Sequence, residues 1–188
     1  MFNEFHYQVR GRGHEAEGTV GQDRTHYVKK DGVHVVCLAD GAGSATHSAF
    51  GAQAVTYAGC TLLAERFHDF ATGEDAVQAR EDIVSALHAR LAETAVRLGC
   101  EITDLASTFL AVATSGDRFV AAHIGDGVIG YVKDGNLKVA STPDNAEFAN
   151  QTTFVTSGNA AASLRLYRRS LIGIAGFILL SDGASASP

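Results

Sequence analysis

The chain has 188 residues, of which 46% are hydrophobic and 19% are charged, as is usual for one soluble globular domain. Acidic residues outnumber basic residues by 21 to 15, and this balance excludes a general attraction for nucleic acid or an anionic membrane surface. The N-terminal segment lacks the apolar run of a signal peptide, and no stretch has the ~18 apolar residues of a membrane helix. The three cysteines lack metal-type spacing, so we expect reduced thiols and a cytoplasmic location.

The first clear strand pattern covers residues 33–39, and two helical segments, 47–70 and 74–98, follow it. In the first helical segment, Gly51 and Gly59 would permit close approach to a sheet. Its predicted buried face consists of Phe50, Ala54, Tyr57, Ala58 and Leu62. The predicted buried stripe of the second segment consists of Val77, Val84, Leu87, Leu91 and Leu98.

A block of strand patterns follows the helices and completes the predicted elements. These patterns cover residues 107–114, 118–124, 128–133, 136–141, 152–157 and 176–181. Several are joined by short connections, as antiparallel meanders are. Strands, two consecutive helices and further strands form an α+β order, and we predict a single domain over residues 1–188.

Asp-Gly pairs occur in two kinds of surroundings. Asp31-Gly32 and Asp134-Gly135 are short polar breaks between strand patterns, and a hairpin turn explains both of them. Asp40, Asp126 and Asp182 each end a strongly apolar run and each precede a glycine. Any one of these three could be only a turn or a helix cap, but strand-end carboxylates that converge would suit Mg²⁺ or Mn²⁺.

Other catalytic patterns find little support in the sequence. The eight histidines show no HExxH spacing, and His34 and His123 lie within strand patterns where a structural hydrogen bond is expected. The chain contains neither a P-loop nor a GxSxG motif. Water activated by metal ions is therefore better supported than a side-chain nucleophile.

Five segments in a fixed order resemble the metal-dependent protein phosphatases of the 2C-like type. They are GRGHEAEGTVGQDR, VVCLADGAGSATHSAFGAQAV, ASTFLAV, AAHIGDGVIGYV and FILLSDG. More narrowly, the chain resembles the compact bacterial branch, which has a late E-[FY]-A-N-x-T-x-F segment, here Glu147 to Phe154. The five segments run from residue 11 to residue 183 and cover almost the whole chain.

The resemblance implies a fold and a set of metal ligands. The family fold is an antiparallel β-sandwich flanked by helices, a four-layer αββα arrangement that agrees with the α+β order. By resemblance, Asp40 bridges two metal ions, the Gly41 carbonyl helps to bind one of them, and Asp23 supports the second. Asp182 would bind the first ion, and Asp126 would pair with Asp182 around a third.

The activity that the resemblance implies is hydrolysis of phosphoserine or phosphothreonine in proteins. Two Mn²⁺ or Mg²⁺ ions, or three in bacterial members, would share a bridging water whose lowered pKa yields hydroxide near neutral pH. Asp40 and Asp23 would be the catalytic carboxylates of that site. The expected partner is a phosphorylated protein, in opposition to a serine/threonine kinase, and the expected oligomeric state is a monomer.

Two departures from the family pattern bear on this expectation. Family members continue past S-D-G into a further helix and strands that carry a late D-[DN] ligand, whereas this chain ends in SDGASASP. We therefore expect a sandwich that is incomplete at its C-terminal end, through either truncation or divergence. Many members also place a phosphate-binding arginine where this chain has Gly18. His14 is the first candidate for a phosphate ligand in its place, ahead of Arg12 and Arg24, and a solvated surface role is the alternative for each of the three.

The departures leave two further interpretations open. One is a non-catalytic, phosphatase-like module that binds a phosphorylated partner or regulates a kinase. The other is a phosphatase of small phosphorylated molecules on the same scaffold. Phosphate release that requires Mn²⁺, and calorimetric binding of Mn²⁺, would distinguish the enzyme from the binding module.

Overall fold

The computed structural model describes residues 21–142 and 152–182. The strands are β1 Arg24–Lys30, β2 Val33–Ala39, β3 Phe109–Ser115, β4 Arg118–Ile124, β5 Val128–Lys133, β6 Asn136–Ser141, β7 Arg165–Ser170 and β8 Ile174–Leu180. The helices are α1 Ser48–Glu65, α2 Phe67–Thr72, α3 Ala76–Leu98 and α4 Ala160–Ser163, and a 3₁₀ turn covers Ile102–Leu105. The predicted α+β order is confirmed.

The strands form two antiparallel sheets. The large sheet has the order β1-β2-β3-β4-β7, and the small sheet has the order β6-β5-β8. The β1–β2 and β5–β6 hairpins turn at Asp31-Gly32 and Asp134-Gly135, where all four residues have positive φ. Two consecutive residues with positive φ are the signature of a tight hairpin turn that matches strand twist, so the predicted turns are confirmed.

Alternation along the central strands divides the core into two layers. One face of β2, β3 and β4 packs on the helical layer, mainly on α1, through a core that includes Val35, Phe109 and Val120, and α3 packs on α1. The opposite face packs on the small sheet, where the rings of Phe119 and Phe177 lie 4.9 Å apart. The described residues thus supply three of the four predicted layers: helices, large sheet and small sheet.

The faces that the two main helices bury differ in part from the prediction. Phe50 and Tyr57 are 45% and 52% exposed, and Val77 in the first turn of α3 is 55% exposed. Helix α1 buries small residues, including Gly51 and Gly59. A β-carbon at Gly59 would lie 2.5 Å from an aromatic ring of β3, so the close approach to a sheet predicted there is confirmed. The prediction ranked side chains by hydrophobicity, whereas close approach of a helix selects small side chains for the contact face.

The helix ends follow local sequence signals more closely. The segment predicted as one helix over 47–70 is divided at Arg66 into α1 and α2. Helix α3 begins at an N-cap aspartate, Asp75, whose side chain accepts hydrogen bonds from the N–H groups of Val77 and Gln78. It ends at Gly99, which has a left-handed φ of 68° and is a frequent C-terminal cap.

Two segments in the second half of the chain differ from the prediction. Residues 152–157 were predicted as a strand, but they form an irregular segment with turns that leads into α4. Strand β7 was not predicted, since RLYRRS is too polar to show an apolar pattern. It becomes a strand because it pairs along β4 at the edge of the large sheet.

Gly51 lies where α1 closely approaches the 3₁₀ turn, and we expect Gly51→Ala to destabilise the protein. A β-carbon at this position would lie 1.9 Å from the carbonyl oxygen of Leu105. Overpacking of this kind costs about 2–3 kcal/mol, although alanine is otherwise the better helix former. Urea denaturation of Gly51→Ala measures the effect.

Gly158→Ala is the matched control for that substitution, since no atom lies within 4 Å of its added β-carbon. It should leave the urea midpoint nearly unchanged. A Gly51→Ala variant as stable as the control would show that α1 does not lie this close to the turn.

The outer face of the small sheet is apolar and partly open to solvent. Leu137 of β6 is 71% exposed, and Ile178 of β8 is 44% exposed. Their side chains lie over Gly130, since a β-carbon there would contact both of them.

None of the helices in the described ranges is both long enough and apolar enough to cross a lipid bilayer.

Candidate active site

The four aspartates predicted from the sequence lie at one end of the strands. Asp23 immediately precedes β1, Asp40 immediately follows β2, and Asp126 and Asp182 come shortly after β4 and β8. The register pairs the first residues of β1, β3 and β5 with the last residues of β2, β4 and β8, respectively. An antiparallel strand begins where its neighbour ends, so the topology places these carboxylates at the same end of the strands.

Asp40 is in contact with two of the other three aspartates. Burial, together with charge repulsion from and hydrogen bonding to the adjacent carboxylates of Asp23 and Asp182, raises the pKa of Asp40 from 3.8 to about 8. A carboxyl group that shares a poorly hydrated position with two others is unstable in its ionised form. The site therefore concentrates negative charge that a cation could compensate.

The backbone around Asp40 is held by the start of β3. The Asp40 N–H donates to Thr108 Oγ1 at 2.9 Å, and the Asp40 carbonyl accepts from the Thr108 N–H at 2.8 Å. Gly41 is buried and pairs with Ser107, and the Ala42 N–H donates to the Ala106 carbonyl. These bonds extend the β2–β3 pairing beyond β2 and fix the direction in which the Asp40 side chain leaves the sheet.

Glycine is required after Asp40 because the start of α1 packs directly on it. A β-carbon at Gly41 would lie 2.8 Å from the β-carbon of Ser48. Serine is a frequent N-cap residue, but neither Ser44 nor Ser48 caps α1. His47 occupies the N-cap position without a side-chain cap bond, and the Ser48 hydroxyl is buried with no partner among the described residues.

Asp23 is held between the ends of β1 and β8. The Ser181 hydroxyl donates to Asp23 Oδ2 at 3.3 Å, so the residue before Asp182 also contacts Asp23. The guanidinium of Arg24 donates to the main-chain carbonyls of Gly21 and Asp23, both at 2.7 Å. Arg24 therefore stabilises the backbone that presents the carboxylate.

Asp126 lies in the short connection from β4 to β5. The Thr152 hydroxyl donates to Asp126 Oδ2 at 2.6 Å. Arg165 of β7 donates from Nη2 to the Gly125 carbonyl at 2.8 Å, and from Nη1 to the Thr142 carbonyl. Sequence reasoning assigned no role to Thr152 or Arg165. Thr152 is the fixed threonine of the late E-[FY]-A-N-x-T-x-F segment, but no spacing along the chain connects that segment with Asp126.

The donor set suits a hard divalent cation, although it is incomplete. Within residues 21–142 and 152–182, no three or more histidine, cysteine or acidic side chains are grouped so that they could hold a metal ion by themselves. Asp40 nevertheless contacts Asp23 and Asp182 in turn, and carboxylate oxygens are ligands that Mg²⁺ and Mn²⁺ prefer. Main-chain oxygen and water would supply the remaining ligands, as they commonly do for Mg²⁺.

Three histidines were given roles from the sequence, and two of them lie within the described residues. His14 lies outside the described residues. His34 Nδ1 bonds to the Tyr27 hydroxyl, and His123 Nδ1 bonds to the Ser141 hydroxyl, both at 2.7 Å, as the prediction of structural roles required. Burial, with a smaller effect of the Arg165 charge, lowers the pKa of His123 to about 3, so this imidazole is neutral at physiological pH.

A separate cleft of about 580 Å³ lies at the opposite end of the large sheet. The β1–β2 turn, the β3–β4 turn and the junction of α1 with α2 line it, and its charged groups are of both signs. It contains none of the four strand-end aspartates. The cleft is therefore separate from the aspartates of the candidate site.

Known proteins match this chain in sequence and in fold. The family model described as "Protein phosphatase 2C" matches residues 10–187. Serine/threonine-protein phosphatase 3 of Escherichia coli (strain K12) is 29% identical over 132 residues, which are 70% of this chain and 52% of that protein. The chain thus spans about half the length of this curated relative.

Solved structures of bacterial phosphatases share the fold. A bacterial serine phosphatase superposes with a TM-score of 0.62 at 16% identity, over 87% of this chain and 72% of the other. The serine/threonine phosphatase Stp1 of Staphylococcus aureus has a TM-score of 0.59 at 16% identity, over 87% of this chain and 70% of the other. RsbX in complex with magnesium has a TM-score of 0.55 at 13% identity, over 94% and 71%. The predicted sandwich of antiparallel sheets with flanking helices is confirmed.

Proposed function

Since the chain belongs to the protein phosphatase 2C family, we propose that it hydrolyses phosphoserine and phosphothreonine in proteins with the help of Mn²⁺ or Mg²⁺. The observation that carries this proposal is the contact of Asp40 with Asp23 and Asp182. Carboxylates that raise one another's pKa are disfavoured unless a function or a cation compensates them. Residues 1–188 would act as one phosphatase domain.

Each proposed ligand would have a distinct task. Asp40, at the centre of the cluster, would contact two cations, with the Gly41 carbonyl as a further ligand of one of them. Asp23 and Asp182 would each hold one of these cations together with Asp40. Asp126 would add a carboxylate beside Asp182 for a third, weaker site.

When bound, the cations would supply an activated water for attack on phosphorus and would stabilise the charge on the phosphoryl oxygens. The protein side chains prepare this chemistry by losing protons and by keeping a fixed geometry. Asp40 must be ionised to bind a cation, which its raised pKa opposes until the cation arrives. The Thr108 hydroxyl and the β2–β3 pairing keep the Asp40 backbone in place during that change.

The relatives support both parts of the proposal. The curated relative is a serine/threonine-protein phosphatase, and several solved structures of the same fold are bacterial serine phosphatases. One protein of the same fold, RsbX, was crystallised with magnesium. By the same reasoning, the partner would be a phosphorylated protein, which a serine/threonine kinase would supply.

The proposed activity is tested by measuring the release of inorganic phosphate from a phosphothreonine peptide by the purified full chain. We expect release with Mn²⁺ and none in excess EDTA, and we expect restored release when Mn²⁺ is added back. An inositol or sugar phosphate, tested in parallel, distinguishes a phosphatase of small molecules. Absence of release with Mn²⁺ from every substrate would contradict the proposed activity.

A non-catalytic binding module is the second candidate, and the incomplete ligand set among the described residues favours it. Such a module would bind a phosphothreonine peptide without hydrolysing it. Calorimetry with Mn²⁺ separates the two candidates. Heat for two sites supports the enzyme, whereas binding of the peptide without binding of Mn²⁺ supports the module.

A further inference from the structure

The carboxylate of Asp126 has a close hydrogen-bond donor that the sequence did not reveal. The Thr152 hydroxyl lies 2.6 Å from Asp126 Oδ2, although the two residues are 26 positions apart in the chain. This distance is typical of a hydroxyl bonded to an ionised carboxylate, which is among the stronger hydrogen bonds in proteins. The bond uses one carboxylate oxygen, and among the described residues no hydrogen bond is made to the other oxygen, Oδ1, which could accept another ligand.

The segment that carries Thr152 is anchored to the rest of the fold three residues later. Val155 is fully buried, its N–H donates to the Ser107 carbonyl at 2.8 Å, and its carbonyl accepts from His88 Nε2 of α3 at 2.6 Å. Ser107 also pairs with Gly41, next to Asp40. The anchor therefore connects the Thr152 segment to the helical layer and to the backbone of the candidate site.

The backbone of Asp126 is fixed independently of Thr152. Gly125 has a positive φ of 115°, its carbonyl accepts from Arg165 Nη2, and a β-carbon there would lie 2.6 Å from the Thr108 side chain. The adjacent Gly127 would place a β-carbon 2.6 Å from the Leu180 carbonyl. These contacts place the Asp126 backbone and leave the rotation of its carboxylate to the Thr152 bond.

We propose that Thr152 is a positioning residue, which orients the Asp126 carboxylate so that Oδ1 can serve as a cation ligand near Asp182. This inference rests on the proposed function, in which Asp126 is a ligand of the weakest cation. Groups that hydrogen-bond to a ligating carboxylate commonly change metal affinity by about 10- to 100-fold when they are removed. Thr152 would act through Asp126 and would not touch the substrate.

The test compares Thr152→Val, which keeps the shape and removes the donor, with Thr152→Ser, which keeps the donor. Thr153→Val is the matched control, since it removes a hydroxyl from the neighbouring position of the same segment. Each full-length variant is titrated with Mn²⁺ by calorimetry, and each is assayed for the Mn²⁺ concentration that gives half-maximal phosphate release. Thermal denaturation in EDTA checks that the variants fold.

We expect Thr152→Val to weaken the weakest Mn²⁺ site by about 10- to 100-fold, with phosphate release at saturating Mn²⁺ within a few-fold of the wild type. Thr152→Ser and Thr153→Val should match the wild type. Equal Mn²⁺ binding in Thr152→Val and the wild type would overturn the positioning role, as would equal losses in Thr152→Val and Thr153→Val. Faster release by Thr152→Val would also overturn it, since the hydroxyl would then be an inhibitory contact.

Calorimetry distinguishes failure of the positioning role of Thr152 from failure of the proposed phosphatase activity. If the wild type binds Mn²⁺ without releasing phosphate, and only Thr152→Val binds it more weakly, the positioning role stands and the catalytic proposal fails. If the wild type releases phosphate and Thr152→Val matches it in both measurements, the catalytic proposal stands and the positioning role fails.

Discussion

Replacing Asp40 with asparagine is expected to lower Mn²⁺-dependent phosphate release by about 10²–10³-fold or more, which is the scale for loss of a preorganised charge in an active site. Asp40 contacts both Asp23 and Asp182, so its replacement affects both of the cations that it would contact. Asparagine keeps the size of the side chain and an oxygen ligand, but it lacks the negative charge. Phosphate release from a phosphothreonine peptide at saturating Mn²⁺ measures the effect.

The same substitution is expected to stabilise the protein in EDTA at alkaline pH. Burial and the two neighbouring carboxylates raise the pKa of Asp40 to about 8, above its value of 3.8 in the unfolded chain. The folded state therefore binds more protons than the unfolded state between these pH values, and the free energy of unfolding falls as pH rises from about 4 to about 8. Asparagine has no charge to lose and avoids this fall.

The expected gain is about 1–2 kcal/mol at pH 8.5, or about 2–8 °C in Tm, because water screens much of the repulsion at this partly exposed group. At pH 5 the wild-type carboxyl is protonated, and the two proteins should then differ little. Thermal denaturation in EDTA at both pH values provides the measurement. Loss of activity together with a gain in stability cannot result from a folding defect.

Asp134→Asn is the matched control, since Asp134 also precedes a glycine but lies in the β5–β6 hairpin with a positive φ of 52°. Asparagine tolerates that conformation, so this variant should keep wild-type release and wild-type stability. Asp40→Asn with unchanged release would remove Asp40 from the mechanism. Asp40→Asn with a lower Tm at pH 8.5 would show that repulsion among the carboxylates is not the dominant interaction there.

Binding of Mn²⁺ is expected to weaken about 100-fold when the pH is lowered from 8 to 6. A cation must displace the proton of Asp40 whenever the carboxyl is protonated, which holds below its raised pKa of about 8. Each pH unit below that value then costs about tenfold in apparent affinity for the cation that Asp40 binds. Above pH 8 the affinity should level off.

Calorimetric titration at pH 6, 7, 8 and 9 measures this dependence. Repeating the titrations in buffers of different ionisation enthalpy counts the protons released, and about one proton in total is expected from Asp40 when its site fills well below pH 8. Asp134→Asn should keep the slope, and Asp40→Asn should lose it. Equal affinity at pH 6 and pH 8 in the wild type would contradict a shared site built on Asp40.

Local features of this fold could be predicted from the sequence, because they depend on neighbouring residues. The turns at Asp31-Gly32 and Asp134-Gly135 need only the left-handed backbone that these residue pairs adopt readily. The limits of β2, β4, β5 and β6 match the predicted strands 33–39, 118–124, 128–133 and 136–141. In each of these cases, the turn signals and residue patterns lie within the segment itself.

Features that depend on a distant partner could not be predicted in this way. Strand β7 is polar and forms because β4 offers it an unpaired edge. Residues 152–157 contain β-branched side chains, yet the Val155 N–H bonds to Ser107 and the Phe154 N–H bonds to the Ser157 hydroxyl. The backbone groups that a strand would have used are thus satisfied elsewhere.

The candidate site divides in the same way. Apolar runs that end in Asp-Gly marked Asp40, Asp126 and Asp182 from the sequence, because a carboxylate at the end of a buried strand needs compensation. Only the tertiary structure decided that Asp40 contacts Asp23 and Asp182, and that Thr152 holds Asp126. The residue type at a strand end is a local property, whereas the distance between two strand ends depends on sheet order, register and the packing of one sheet on the other.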